Sequence, residues 1–481
     1  MTTKSSPILA PVALAAALLL AGCAVGPDFK QPKVEAPQAF RDQAPSGDRS
    51  LADLAWWDVY RDPRLNELIR AALSEGYDAR IAAARVEEAR AIAAQVHGQR
   101  FPSVGYQGAA DRGRDQLLGS PNPLGGGVTS NASDGYLSAA WELDLWGRVR
   151  RLDEAARYQY LATEQARRGV LLSLVGDVAT AYFELLELDE ERAIASQAVE
   201  SFGESLGLFN RQLEGGVASR LETASAEAAR ATSASRIPEI ERQIAIKENQ
   251  ISVLIGRNPG PIVRGARLAD LPSPPDVPAG LPSALLERRP DVLEAEYAAH
   301  SANAGIGVTV GGFLPRIGLS AVFGVASPSL NALTSRNASL WAVGANASGP
   351  LFQGGGLRGQ YQQAKEAWEA AKLQYQQAAL NAFGDVADAL VTRQKLAEVR
   401  AEQEKAVISY QEAVTLSRQR YTAGRASYFE VLQAQQMLFP AEASLAQTRR
   451  DQYATTVQLY KALGGGWNLK DADWSGPAGG R

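Results

Sequence analysis

The 481-residue chain contains one cysteine, two methionines and two histidines. A lone cysteine excludes any disulfide within the chain. His97 and His300 stand far apart, and the methionines are Met1 and Met437. Sulfur and imidazole ligands are therefore too few and too scattered for a soft-metal centre, and neither a metal nor another cofactor is expected. Lys plus Arg (49) and Asp plus Glu (53) nearly balance, for a net charge of −4. The basic residues are spread along the chain, so nucleic acid is not an expected partner. Phosphate loops, dinucleotide fingerprints and nucleophile elbows are missing. The GGG runs at 354–356 and 464–466 lack the strand and the Lys-Ser/Thr that a phosphate cradle needs, and they read as turn or helix-end glycines. No nucleophile, base and orienting partner stand out together, so an enzyme is not expected.

What is present begins with a leader. Lys4 is a short basic region, Val12 to Leu20 an apolar run, and LAGC follows at 20–23. Such a run is too short to span a bilayer and has the form of a secretory signal, residues 1–22. Beyond it the chain repeats itself. Asp78 precedes Pro102 by 24 positions, and Asp291 precedes Pro315 by the same 24. GGVASRLETASAE (215–227) aligns with AGRASYFEVLQAQ (423–435), placing Gly216, Ser219 and Glu222 on Gly424, Ser427 and Glu430. Matching landmarks at matching separations predict a duplicated unit, residues 76–260 and 281–465. An N-terminal segment (23–75), a linker (261–280) and a tail (466–481) complete the chain.

Each repeat carries two stretches of period-two alternation. Leu137, Ala139, Trp141, Leu143 and Leu145 share one face of a strand predicted over 136–146, opposite Glu142 and Asp144. Ile317, Leu319, Ala321, Phe323 and Val325 form a second row; Trp341, Val343, Ala345 and Ala347 form a third. Val104 and Tyr106 begin a weaker fourth row that dissolves into glycine and charge. Strands of about ten residues suit a tilted membrane barrel, with Trp141, Trp146 and Trp341 at the lipid interfaces. A soluble sheet with one wet face is the competing reading. A sheet in lipid must close, and four strands are too few. Two copies would give a barrel filled by its own side chains; three would give twelve strands and a lumen, into which Glu142 and Asp144 would point. Three is the expectation. The intervening segments 113–133 and 327–338 have loop composition.

Residues 148–213 lack proline and carry a stripe at 3-4 spacing: Leu171, Leu174, Val178, Ala181, Leu185 and Leu188, then Arg192, Ala195, Val199, Phe202, Leu206, Phe209 and Leu213. That spacing predicts a coiled-coil seam, interrupted only by Arg192. Roughly 65 helical residues would extend about 100 Å. Hairpins are predicted over 148–256 and 357–463, kinked at Pro238 and Pro440. A large soluble helical bundle is the alternative. The fold class expected is thus mixed membrane α+β: a trimeric 12-stranded barrel, four strands per chain, continued by a long antiparallel coiled-coil α-barrel.

At the hairpin tips, Gly216 and Gly424 end one helix while Ser219 and Ser427 start the next. The tips are candidate docking points for a partner. Glu222 and Glu430 are candidates for a ring of charge at a constriction, with Arg220, Arg420 and Arg425 near enough to lock it. Ordinary solvated helix starts are the competing account.

LAGCAVGPDFKQP (20–32), WWDVYRDPRLNELI (56–69), WELDLWGRVR (141–150), LLERRPDVLEAE (285–296), RYTAGRASYFEVLQAQ (420–435) and YKALGGGW (460–467) together resemble the TolC-like outer-membrane factors, most closely the NodT-type lipoproteins of efflux systems. The likeness covers essentially the whole mature chain. The leader ending in LAGC resembles bacterial lipoprotein signals, which implies an acylated Cys23 and, because Ala24 rather than Asp follows it, sorting to the outer membrane; an incidental cysteine in an ordinary signal peptide is the competing reading. The TolC-like resemblance places that segment (23–75), lipidated, at the start of the mature chain. It also implies a homotrimer whose periplasmic tips receive a periplasmic adaptor (a membrane-fusion protein) and an inner-membrane pump, and short helices of an equatorial girdle from 40–75 and the tail. Tyr421 matches a tyrosine that holds the closed tip, and Glu430 matches an acidic gate position. Gln433 and Ala426 replace a second acid and an arginine lock, leaving Arg425 as a substitute. The expected function is a passive exit duct for small solutes. The outer component of a type I protein-secretion system, or a non-pore coiled-coil lipoprotein, are the alternatives. The transported substrate is not legible.

Overall fold

The computed structural model describes residues 24–40, 50–114, 129–217, 219–272, 280, 282–470 and 473–474. Four kinds of element recur at equal length in the two halves. Helices α3 (Tyr77–Gly98) and α7 (Pro290–Gly311) have 22 residues each. Strands β1 (Ser103–Arg114) and β3 (Arg316–Ser327) have 12. Helices α4 (Arg148–Glu214) and α8 (Gly356–Thr422) have 67, and α5 (Arg220–Leu254) and α9 (Tyr428–Ala462) have 35. Strands β2 (Thr129–Leu143) and β4 (Ser339–Ser348) differ, at 15 and 10. Helices α1 (Trp56–Tyr60), α2 (Pro63–Glu75) and α6 (Leu285–Arg288) are the remaining α-helices among the described residues. Two compact units share these elements: one takes residues up to Pro32, Glu87–Thr163 and Ala295–Tyr375, the other Lys33–Val86, Glu164–Glu294 and the chain from Gln376.

The first unit holds one antiparallel sheet in the order β1-β2-β3-β4. Its register aligns the alternating rows seen in the sequence. Tyr106 lies opposite Leu137, Leu137 opposite Phe323, and Phe323 opposite Trp341. The next rung is Val104, Ala139, Ala321 and Val343; below it come Trp141, Leu319 and Ala345, then Leu143, Ile317 and Ala347. Directly paired residues share a face, so all four rows lie on one side. The other side is chiefly small or polar: Gln107, Tyr136, Ser138, Ser320, Gly344 and Asn346. Tyr106 is 89% exposed, Phe323 69% and Trp341 74%, a bare apolar face.

Several bounds differ from the sequence reading. Strand β2 starts at Thr129 and stops at Leu143, so Leu145 and Asp144 lie outside it. The ladder ends there because Asp144 turns its carboxylate to the start of α4. The row expected to dissolve after Tyr106 is a full strand: pairing with β2 carries Gly108, Gly113 and the charged residues that propensity disfavours. Helices α5 and α9 continue unbroken through Pro238 and Pro440.

The second unit is built on the helical shafts. Leu171, Leu174, Val178, Ala181, Leu185 and Leu188 of α4 are buried. At Arg192 the stripe steps sideways: Arg192 is exposed, Glu191 is buried, and burial resumes along Ala195, Ala198, Phe202, Ser205 and Phe209. Ala198 and Phe202 pack against Ala229 of α5 and Leu432 and Phe439 of α9. The DPRL segment is a helix start. Asp62 caps α2, its Oδ1 accepting from the N–H groups of Arg64 (2.8 Å) and Leu65 (3.1 Å), with Pro63 at the first helical position. Its other oxygen accepts from the Tyr182 hydroxyl of α4 at 3.2 Å. Trp56 is fully buried and donates its indole N–H to the Trp474 carbonyl at 3.0 Å. Tyr460 of α9 donates to the Leu54 carbonyl at 3.0 Å.

Candidate functional site

Helices α4 and α8 stop in the same way. Gly216 has φ +71° and Gly424 φ +69°, a left-handed conformation that side chains with a Cβ resist. The N–H of Val217 reaches back to the Gln212 carbonyl (2.8 Å), as Arg425 N–H does to Arg420 (2.9 Å). Both turns therefore satisfy otherwise orphaned carbonyls by a six-residue closure.

The glutamates that align in sequence do different work. Glu222 accepts the backbone N–H of Ser219 and, at 2.8 Å, its hydroxyl, which holds the carboxyl below its ordinary range. It is bound to its own helix start. Glu430 instead faces Arg420 at 3.7 Å, across the turn from α8 to α9. Ser427 is the N-cap of α9 but makes no side-chain cap bond. Arg425 is exposed, and its contribution to the turn is its backbone.

A second set of tip residues joins the two hairpins, and sequence reasoning found only Tyr421 among them. The Tyr421 hydroxyl accepts the Gln212 side-chain N–H. Its ring meets Tyr428 edge-on at 4.8 Å, and Tyr428 meets Phe209 edge-on at 5.0 Å. The Tyr428 hydroxyl lies 2.9 Å from that of Ser205. One turn further from the tip, the buried Gln435 donates to Ser201 Oγ at 2.7 Å, and Arg418 donates to the same oxygen at 3.3 Å. Ser205 and Gln435 are both buried, and Ser205 enters the buried stripe only through the sideways step at Arg192, so its place was not marked in the sequence.

At the base of the sheet, Glu142 lies on the face opposite the apolar rows and takes Arg148 in a two-pronged pair (3.0 and 2.8 Å). Asp144 accepts the backbone N–H groups of Val149 and Arg150, each at 2.9 Å, and so caps α4. Cys23 lies outside the described residues, but the arm that follows it is tied down closely. Val25 N–H donates to the Trp146 carbonyl at 2.8 Å, and Arg151 bonds the Val25 carbonyl (3.2 Å) and Asp28 (2.8 Å). Asn303 donates to the Pro27 carbonyl at 2.9 Å. Phe29 stacks on His300 at 4.1 Å, and Tyr158 covers the other face of that imidazole at 3.4 Å. Burial lowers the His300 pKa. The backbone passes so closely that a Cβ on Gly26 would sit 2.5 Å from Gly307 Cα.

The family description "Outer membrane efflux protein" matches residues 68–257 and 281–465, one segment in each half. The chain belongs to the outer membrane efflux protein family. It is 35% identical over 477 residues to the solvent efflux pump outer membrane protein SrpC of Pseudomonas putida, covering 98% of this chain and 99% of that one. Its fold is similar to the outer-membrane channel OprN (TM-score 0.86, 30% identity, 92% of this chain and 100% of that one). It is likewise similar to the open state of the MtrE outer membrane channel of Neisseria gonorrhoeae (TM-score 0.84, 30% identity, 92% and 99%). This outer membrane efflux protein is thus a component of an efflux system, in a family of channels and not of enzymes. Among its described residues no three His, Cys, Asp or Glu side chains gather in a way that would hold a metal ion.

Proposed function

We propose that three copies of this outer membrane efflux protein close a twelve-stranded barrel and act as a passive exit duct. The observation that carries the reading is the sheet: one face bare and apolar, the other small and polar, and two outer strands each paired on one edge only. In lipid an open edge leaves backbone groups unsatisfied, at several kcal/mol each. Neighbouring copies remove that cost, and twelve strands leave room for an aqueous lumen. Glu142 and Asp144 stand near its periplasmic mouth.

The hairpin tips are the gate. Conduction requires parting of the two hairpins, and the Gln212–Tyr421 and Ser205–Tyr428 bonds oppose it. Glu430 and Arg420 reinforce the closed turn; Glu222 holds its helix start, and Arg425 is free of the role of a buried lock. Gly216, Ser219, Gly424 and Ser427 shape the surface that a periplasmic adaptor meets, and the adaptor couples the duct to an inner-membrane pump. Acylation of Cys23 would place the lipid beside the base of the sheet, because Val25, two residues on, is bonded to Trp146. The cargo is small solutes, with solvents the class that SrpC's name supplies.

Planar-bilayer recording of the purified trimer tests the reading. Weak conductance is expected, rising when Gln212→Ala and Tyr421→Phe are combined; silence of both proteins, despite insertion, would overturn it.

A further inference from the structure

We propose that Arg112 and Arg114 form a docking surface for the phosphate groups of outer-leaflet lipid, specifically a phosphorylated glycolipid of the lipopolysaccharide type. The inference rests on the reading of the sheet as membrane-embedded. Along β1, Val104, Tyr106, Gly108, Ala110, Arg112 and Arg114 share one face, the face of the apolar rows. The last rung that β3 joins is Ser133–Ser327. Beyond it only β1 and β2 continue, and the lipid-side residues become Arg112 opposite Asn131 and Arg114 opposite Thr129. Both arginines are exposed.

Height decides what they meet. From the Leu143 rung to the Asn131 rung, β2 advances twelve residues, about 40 Å along the strand and about 30 Å along the normal at the usual tilt. The apolar band of such barrels is about 25 Å tall. Arg112 therefore stands just above the hydrocarbon, and Arg114 one rung higher, at the level of headgroup phosphates. Among the described residues at this end of the hairpin, the acids Asp111 and Asp134 have the opposite parity and belong to the lumen side. Positive charge thus faces lipid while negative charge faces water. Two guanidiniums two residues apart on one strand face, about 7 Å, suit paired phosphate oxygens, which arginine binds in fork geometry.

The full-length trimer is reconstituted into vesicles of zwitterionic phospholipid, of the same with phosphatidylglycerol, and of the same with lipopolysaccharide. After detergent extraction, the retained lipid is quantified by native mass spectrometry. The wild type should retain lipopolysaccharide, and Arg112→Gln with Arg114→Gln should retain about ten-fold less or lower. Asp111→Asn, on the other face, should retain as much as wild type. Equal retention by the arginine variant overturns the proposal, as does wild-type retention of phosphatidylglycerol equal to that of lipopolysaccharide. Brominated lipid separates the two levels. A quenching component lost in Trp341→Phe keeps the embedded sheet standing whatever the arginines do; absence of that component removes both readings.

Discussion

Glu187 and Glu191 stand one turn apart on α4, and both are buried. Gln447 donates to Glu191 at 2.9 Å, and Arg450 and Asp451 lie close enough to act on Glu187. Burial, and then the neighbouring carboxylate, push the Glu187 carboxyl up to about 7. A carboxyl raised on folding binds its proton more tightly in the native state. Its contribution to stability is therefore full below the unfolded value near 4.5 and is lost as pH climbs towards 7. Glu187→Gln should flatten that slope and raise the thermal midpoint at pH 8 by a few degrees; an unchanged pH profile would count against it. The sign is opposite at Glu222, whose lowered carboxyl contributes above the unfolded value and loses its effect as pH falls through the folded one. Glycine is legible where chemistry is not. Gly216 and Gly424 were found from their pattern, because only the left-handed turn explains them. Gly424→Ala should strain the turn by about 1–2 kcal/mol. Amide exchange over residues 419–428 should then quicken while the global midpoint barely moves. The polar bonds of Gln212, Ser205 and Gln435 were not legible: their partners lie more than 200 positions away, in the other repeat.

At the level of elements, the RRPD segment shows how short motifs hold long helices. Arg289 is buried and meets three of them. It bonds both oxygens of Asp291 at the start of α7 (3.0 and 2.7 Å), Asp385 of α8 at 2.9 Å, and the carbonyl of Ala462 at the end of α9 at 3.0 Å. Arg288 lies over the Trp467 ring at 4.6 Å. A cation at the end of α9 also suits that helix's dipole. Lysine cannot supply this fork, so Arg289→Lys should cost about 1–3 kcal/mol and lower the thermal midpoint. Arg267→Lys is the control: that pair with Asp270 is on the surface, with Arg267 82% exposed, and should change nothing measurable. The extent and tips of the two long hairpins were legible because apolar spacing and terminal glycines mark them, whereas α1, α2, α3, α6 and α7 were not bounded in the sequence. The sideways step at Arg192 was not, since burial moves to Glu191, a residue whose type argues against it. The extent of β1 was missed for a related reason, because pairing with β2 overrides the weak propensity of its glycines and charges.

Across the whole molecule, the decisive property is that one sheet has two faces of opposite solvent preference. Alternation in the sequence showed the rows, but their coincidence on one side depends on register, which the turns and pairings set. The test is a pair of neighbours on β3. Ala321 lies on the apolar rung with Ala139 and Val343, and Ser320 lies on the other face opposite Ala140 and Gly344. Arginine in place of Ala321 would project into hydrocarbon near mid-membrane, at about 2–4 kcal/mol in each copy. In the proposed three-copy barrel that cost is multiplied, so Ala321→Arg should fail to give inserted, heat-resistant trimers. Ser320→Arg adds the same side chain to the other face, which the proposed barrel turns to a lumen that water reaches. It should insert normally, and bilayer recording should show smaller conductance and a shift towards anion permeation. If the two variants insert equally well, the faces have been assigned to the wrong solvents and the sheet is not a wall of the duct.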